Sequence, residues 1–182
     1  MICSKVQRVT AWAHSTRETS DIMRSLLAFA LPVLSFMLVA STPIQSPIMG
    51  AISTPAALTD ISGEPFPFSY AASNWCEQGY NNFTVFTSQG AAAPTVADLD
   101  DDGIFSGALT SWGIFTLANF GLPPLGTPPP STLTTPALAL GDTTPVQLWL
   151  SVVQTFLNCP GNIVQEFGIV SIPVVYSGTA SV

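Results

Sequence analysis

The chain has 182 residues, 47% hydrophobic and 8% charged, with a formal net charge of −7 and a mean hydropathy of +0.45. All the basic residues (Lys5, Arg8, Arg17, Arg24) and the one histidine, His14, fall in the first 24 positions, and residues 25–182 carry nine carboxylates with no Lys, Arg or His. That balance excludes nucleic-acid binding, which depends on cations neutralising phosphates, and disfavours anionic membrane surfaces.

In chain order, residues 1–22 are a polar stretch upstream of Met23. They read as a gene-model extension, so Cys3, Trp12 and His14 carry no functional weight. Residues 23–41 read as a signal peptide with a helical core. Arg24 supplies the positive flank, and the apolar run 26–40 is 15 residues long and contains Pro32. A membrane span needs roughly 20 apolar residues and a signal core roughly 7–15. Val39, Ala40 and Ser41 offer small residues for cleavage. Residues 42–62, low in charge and rich in Pro, Ser, Thr and Ala, read as a linker or loosely attached arm.

Residues 63–182 are expected to form one all-β domain, an immunoglobulin-like or similar antiparallel β-sandwich, built from short strands between turn clusters. PFPFSY (65–70) places Phe66, Phe68 and Tyr70 on one face at period two. NFTVFTS (82–88) sets Phe83, Val85 and Thr87 against Asn82, Thr84, Phe86 and Ser88. WGIFTLANF (112–120) suits a strand or a short helix. The Pro-rich stretch 121–136 reads as a stiff crossover loop. VQLWLSVVQTFL (146–157) is strand-like, and IVQEFGIVSIPVVY (163–176) reads as one bent strand or two. Gly168 is expected at a bulge and Pro173 at an edge.

Cys76 and Cys159 are the two cysteines after residue 25. In an oxidising compartment they are expected to pair, the alternatives being free buried thiols or an intermolecular bridge. Asn82-Phe83-Thr84 is an N-glycosylation sequon and places Asn82 on the surface.

The segments FPFSY, SNWCEQGYNNFTV and ANFGLPPLGTPPPSTL, with the closing Cys-bearing β segments, resemble small secreted proteins of mushroom-forming fungi. The resemblance spans about residues 62–176. It implies a compact β-sandwich behind a secretory signal and carries over no catalytic residue.

Missing residue types limit the chemistry. Serine or cysteine nucleophiles need a His or Lys base, and phosphoryl transfer needs Lys or Arg clamps. Zinc, copper and haem sites rely on His or free Cys. What survives is a pair of carboxylates acting on a glycosidic bond, for which Glu77 beside Trp75 and Glu166 in a strand are the candidates. DLDDDG (98–103) matches the opening of a calcium loop: Asp98, Asp100 and Asp102 would give side-chain oxygens and Ile104 a carbonyl. It departs from that motif in having Leu109 at the twelfth position, so Asp142 or Glu166 would have to complete the shell. An acidic solvated turn competes with calcium, the one cofactor suggested. Trp75, Trp112 and Trp149 could form a sugar platform or fill a core. The expectation is a secreted, non-enzymatic domain that contacts an extracellular protein or a cell-wall polysaccharide. A carbohydrate-binding module is the first alternative and a carboxylate-only glycosidase the second.

Overall fold

The computed structural model describes residues 42–140, 145–161 and 163–178. The expected extension (1–22) and signal-peptide helix (23–41) lie outside the described residues. The fold is nearly all β, with antiparallel sheets. In chain order the strands are β1 (Ala51–Thr54), β2 (Phe66–Pro67), β3 (Ser69–Ala71), β4 (Tyr80–Ser88), β5 (Ala108–Ala118), β6 (Thr132–Leu133), β7 (Val146–Cys159) and β8 (Ile163–Tyr176). A short 3-10 turn, Val96–Asp98, lies between β4 and β5. No helix among the described residues is long and apolar enough to cross a membrane.

Four strands form the main sheet in the order β5-β4-β7-β8. Two antiparallel ribbons, β1 with β3 and β2 with β6, accompany it. Period-two alternation explains which side chains meet. Phe83 and Val85 of β4, Phe115 of β5, and Leu148, Leu150 and Val152 of β7 share one core cluster with Phe66, Phe68, Tyr70 and Leu133. The ribbons therefore pack their aromatic residues against one face of the sheet. The ambiguous run 112–120 resolves largely as strand, because its partner β4 satisfies the backbone that a short helix would leave unpaired.

The opposite face is covered over only part of its area. The loop 89–107 lays Val96, Leu99 and Phe105 onto Phe86, Val153, Phe167 and Ile169. The Phe86 and Phe105 rings stack at 5.1 Å between centroids, with planes 15° apart. Gly103, at φ 77°, lies directly over the Phe167 ring, where a β-carbon would collide with ring atoms.

Residues 42–62 are built into this fold, in contrast to the linker that their composition suggests. They follow the outer edge of β8. Ser46 N–H donates to the Phe167 carbonyl at 2.8 Å, Leu58 N–H to Pro173 at 2.7 Å and Ile61 N–H to Val175 at 2.9 Å. Phe167 N–H donates back to Ile44 at 2.8 Å and Val175 N–H to Thr59 at 2.9 Å. Ile61 is fully buried, at 0% exposure. The segment thus covers an edge that would otherwise pair with other chains. Pro173 fits because its nitrogen faces this outer edge, where β7 asks no donor of it.

Gly168 is not at a bulge. It pairs in unbroken register with Gln154, and a β-carbon there would press on Met49 and Phe156 at 3.1 Å. Close approach of the 42–62 segment is the reason for glycine at this point.

Candidate interaction surface

Cys76 and Cys159 form a disulfide with Cα atoms 4.7 Å apart. It ties the loop after β3 to the end of β7. Beside it, Trp75 lies 6.5 Å from the Phe156 ring and donates its indole N–H to Ser46 Oγ at 2.8 Å.

The same end of the core holds a buried polar network. Gln154 Oε1 accepts from Tyr70 Oη at 2.8 Å and from Ser73 N–H at 3.1 Å. Gln154 Nε2 donates to the Ser73 carbonyl at 2.6 Å, which also accepts from Asn81 Nδ2 at 2.9 Å. Burial pushes the Tyr70 phenol well above its ordinary range. Nothing in the sequence pattern separates Gln154 from a solvent-facing glutamine; its role follows from its contacts alone.

The two glutamates considered for glycoside chemistry sit in unlike places. Glu77 is exposed at a left-handed backbone position, φ 52°. Glu166 is 2% exposed, opposite Phe156 in the β7–β8 register, and its Oε2 has no hydrogen-bond partner. A carboxyl closed off from solvent in this way is out of a polysaccharide's reach.

Two carboxylates of the acidic loop accept from groups close by in the chain. Asp98 Oδ2 accepts from Thr95 N–H at 2.8 Å and Thr95 Oγ1 at 2.7 Å. Asp100 Oδ1 accepts from Asp102 N–H at 3.0 Å and Ile104 N–H at 2.7 Å. The Ile104 carbonyl accepts from Asp100 N–H at 3.0 Å. No group of three or more His, Cys, Asp or Glu able to hold a metal occurs among the described residues, which include Asp98, Asp100 and Asp102. Asp142 lies outside them. The DLDDDG pattern serves turn construction, because Asp side chains readily cap nearby N–H groups.

Those hydrogen bonds have a pH consequence. Thr95 N–H and then its hydroxyl hold Asp98 below the ordinary 3.8. The hydroxyls of Ser177 and then Ser62 do the same for Asp60. The stability these groups add is complete above the unfolded value of 3.8 and is lost as pH falls through the lower folded values. The described residues contain no Lys, Arg or His, so there is no side-chain ion pair for acid to break. We expect a melting temperature that holds from about pH 7 to pH 4 and drops below that. Calorimetry across this range is the check; a steady fall between pH 7 and pH 5 contradicts it.

The tryptophans do not share a platform. Trp112 packs edge-on against Phe66 at 6.1 Å and donates to the Thr134 carbonyl at 2.9 Å. Trp149, on the opposite face, donates to the Gly90 carbonyl at 3.2 Å. With Trp75 bonded to Ser46, each of the three indole N–H groups secures a separate loop.

Large apolar side chains are exposed at several places, Val164 at 78% among them, and four of them lie within 114–125. Ile114 is 66% exposed, Phe120 72%, Leu122 41% and Leu125 60%. The loop that carries three of them is anchored. Asn119 N–H donates to Gly79 at 2.8 Å, Tyr80 Oη to Pro123 at 3.1 Å and Thr116 N–H to Thr127 at 2.8 Å. Phe120 itself holds φ 55°. The patch leaves one signal in the sequence, an aromatic directly before Gly121 and a Pro pair, where turns favour Asn or Gly.

No protein-family model matches the chain, and no curated protein or solved structure is similar to it.

Proposed function

We propose that the chain is an exported, non-catalytic β-sandwich domain that binds a protein surface through its 119–127 loop. Phe120 carries this reading. A bulky side chain in the left-handed region costs about 1–2 kcal/mol, and one this exposed recovers little by burial. A contact outside the chain would supply the benefit of an aromatic there. Apolar neighbours on a hydrogen-bonded loop offer a preorganised contact, in which aromatics contribute most. Nine carboxylates without a cation favour a neutral or basic partner surface.

Three further observations support the wider reading. A disulfide suits an oxidising compartment, in keeping with the signal-peptide pattern of 23–41. The ribbons and the main sheet share one core, as the two layers of a sandwich do. The absence of Lys, Arg and His after residue 24 removes most catalytic bases and clamps.

The test replaces Phe120 with a photoreactive benzophenone analogue of phenylalanine and irradiates the protein in the fluid into which its source secretes it. A discrete cross-linked adduct from position 120, absent from the same probe at the exposed Gln147, supports the loop as the contact. Equal or no adducts at the two positions overturn it. Phe120→Asn is expected to raise stability by about 1 kcal/mol, since Asn accepts this conformation. A lower melting temperature in that variant would mean that Phe120 stabilises the fold itself.

A further inference from the structure

The sheet face opposite the main core is more open at its β5–β4 end, where Thr84, Thr116 and Thr155 are half-exposed. The loop 89–107 covers Phe86, Val153, Phe167 and Ile169, and its Gly103–Phe105 stretch flanks Thr84. Beyond it the register places Thr116, Asn82 and Thr155 in one row and Ile114 and Thr84 in the next. Asn82 is exposed, and Ile114 is 66% exposed. A β-rich surface with an exposed aliphatic residue beside the edge strand β5 invites pairing with other chains.

The chain's one sequon, Asn82-Phe83-Thr84, lies on this open area. The strand alternation turns Asn82 and Thr84 outward while Phe83 points into the core. Thr116 Oγ1 donates to Asn82 Oδ1 at 2.9 Å, and the amide nitrogen, the atom that carries a glycan, makes no hydrogen bond to the described residues. We propose that Asn82 is N-glycosylated and that its glycan is the cover of this half-face, as the 89–107 loop is of the other half. The proposal rests on the export reading above, because the modification occurs only on chains that enter the secretory route.

The full chain, expressed in a eukaryotic host with an intact secretory pathway, is expected in the medium with a glycan that an amidase specific for N-glycans removes as a single mass step. Thr84→Ser keeps the step; Asn82→Gln and Thr84→Ala abolish it. The stripped protein self-associates at concentrations where the glycosylated form remains monomeric. Export without any mass step overturns the assignment of Asn82 and leaves the export reading standing. Retention in the cell without a glycan overturns both. If the step is present but the stripped protein stays monomeric, the covering role is overturned.

Discussion

Loss of the Cys76–Cys159 bridge is expected to lower the melting temperature by roughly 15 °C. The two cysteines are 83 residues apart in sequence. Opening a loop of that length restores chain entropy to the unfolded state worth about 4–5 kcal/mol. For a domain of this size each kcal/mol moves the midpoint by about 3–4 °C. The native state also loses a tether, since the bridge holds the loop of Trp75 against Phe156 and thereby supports the Ser46 contact. Calorimetry of the Cys76→Ser, Cys159→Ser double variant against the oxidised protein reads the effect directly. A shift below about 4 °C, or roughly 1 kcal/mol, would show that the denatured chain is already constrained, and the entropic account would fail.

Gln154→Leu is expected to cost about 3–5 kcal/mol although it places an apolar residue in a core. The glutamine is the acceptor for both Tyr70 Oη and Ser73 N–H. Leucine leaves Tyr70 Oη buried and Ser73 N–H half-buried, both unpaired, at about 1–3 kcal/mol each. It also removes a donor from the Ser73 carbonyl, which keeps its bond from Asn81. Tyr70→Phe on the Gln154→Leu background removes one orphaned donor and should recover about 1–2 kcal/mol. Urea unfolding of the two single variants and the double variant gives the coupling. Strictly additive effects would mean that the hydrogen bond between them contributes nothing.

Much of the inward pattern was legible in the chain itself. Phe66, Phe68 and Tyr70, and Phe83 with Val85, reach the core as their period-two spacing predicts, because alternation follows from the backbone of any extended strand. Pro173 marked an edge because a residue without N–H has no place in a central strand. The absence of cations after residue 24 bounded the chemistry without any coordinates.

Apart from the Cys76–Cys159 bridge, contacts between distant segments were not legible. Alternation sets Phe86 and Ser88 on the same face as the exposed Asn82, yet both are buried. For Phe86 the reason is the 89–107 loop, whose docking onto that face no strand periodicity records. Residues 42–62 look like a linker in composition and are an edge cover in space; their ladder to β8 uses backbone groups that every sequence possesses. The aspartates of 98–102 fit a metal loop by spacing, but Asp98 and Asp100 bond the N–H groups nearest to them. Side-chain identity and period determined which face each strand turns inward. Only the tertiary structure decided what covers each face, because that depends on packing between segments far apart in the chain.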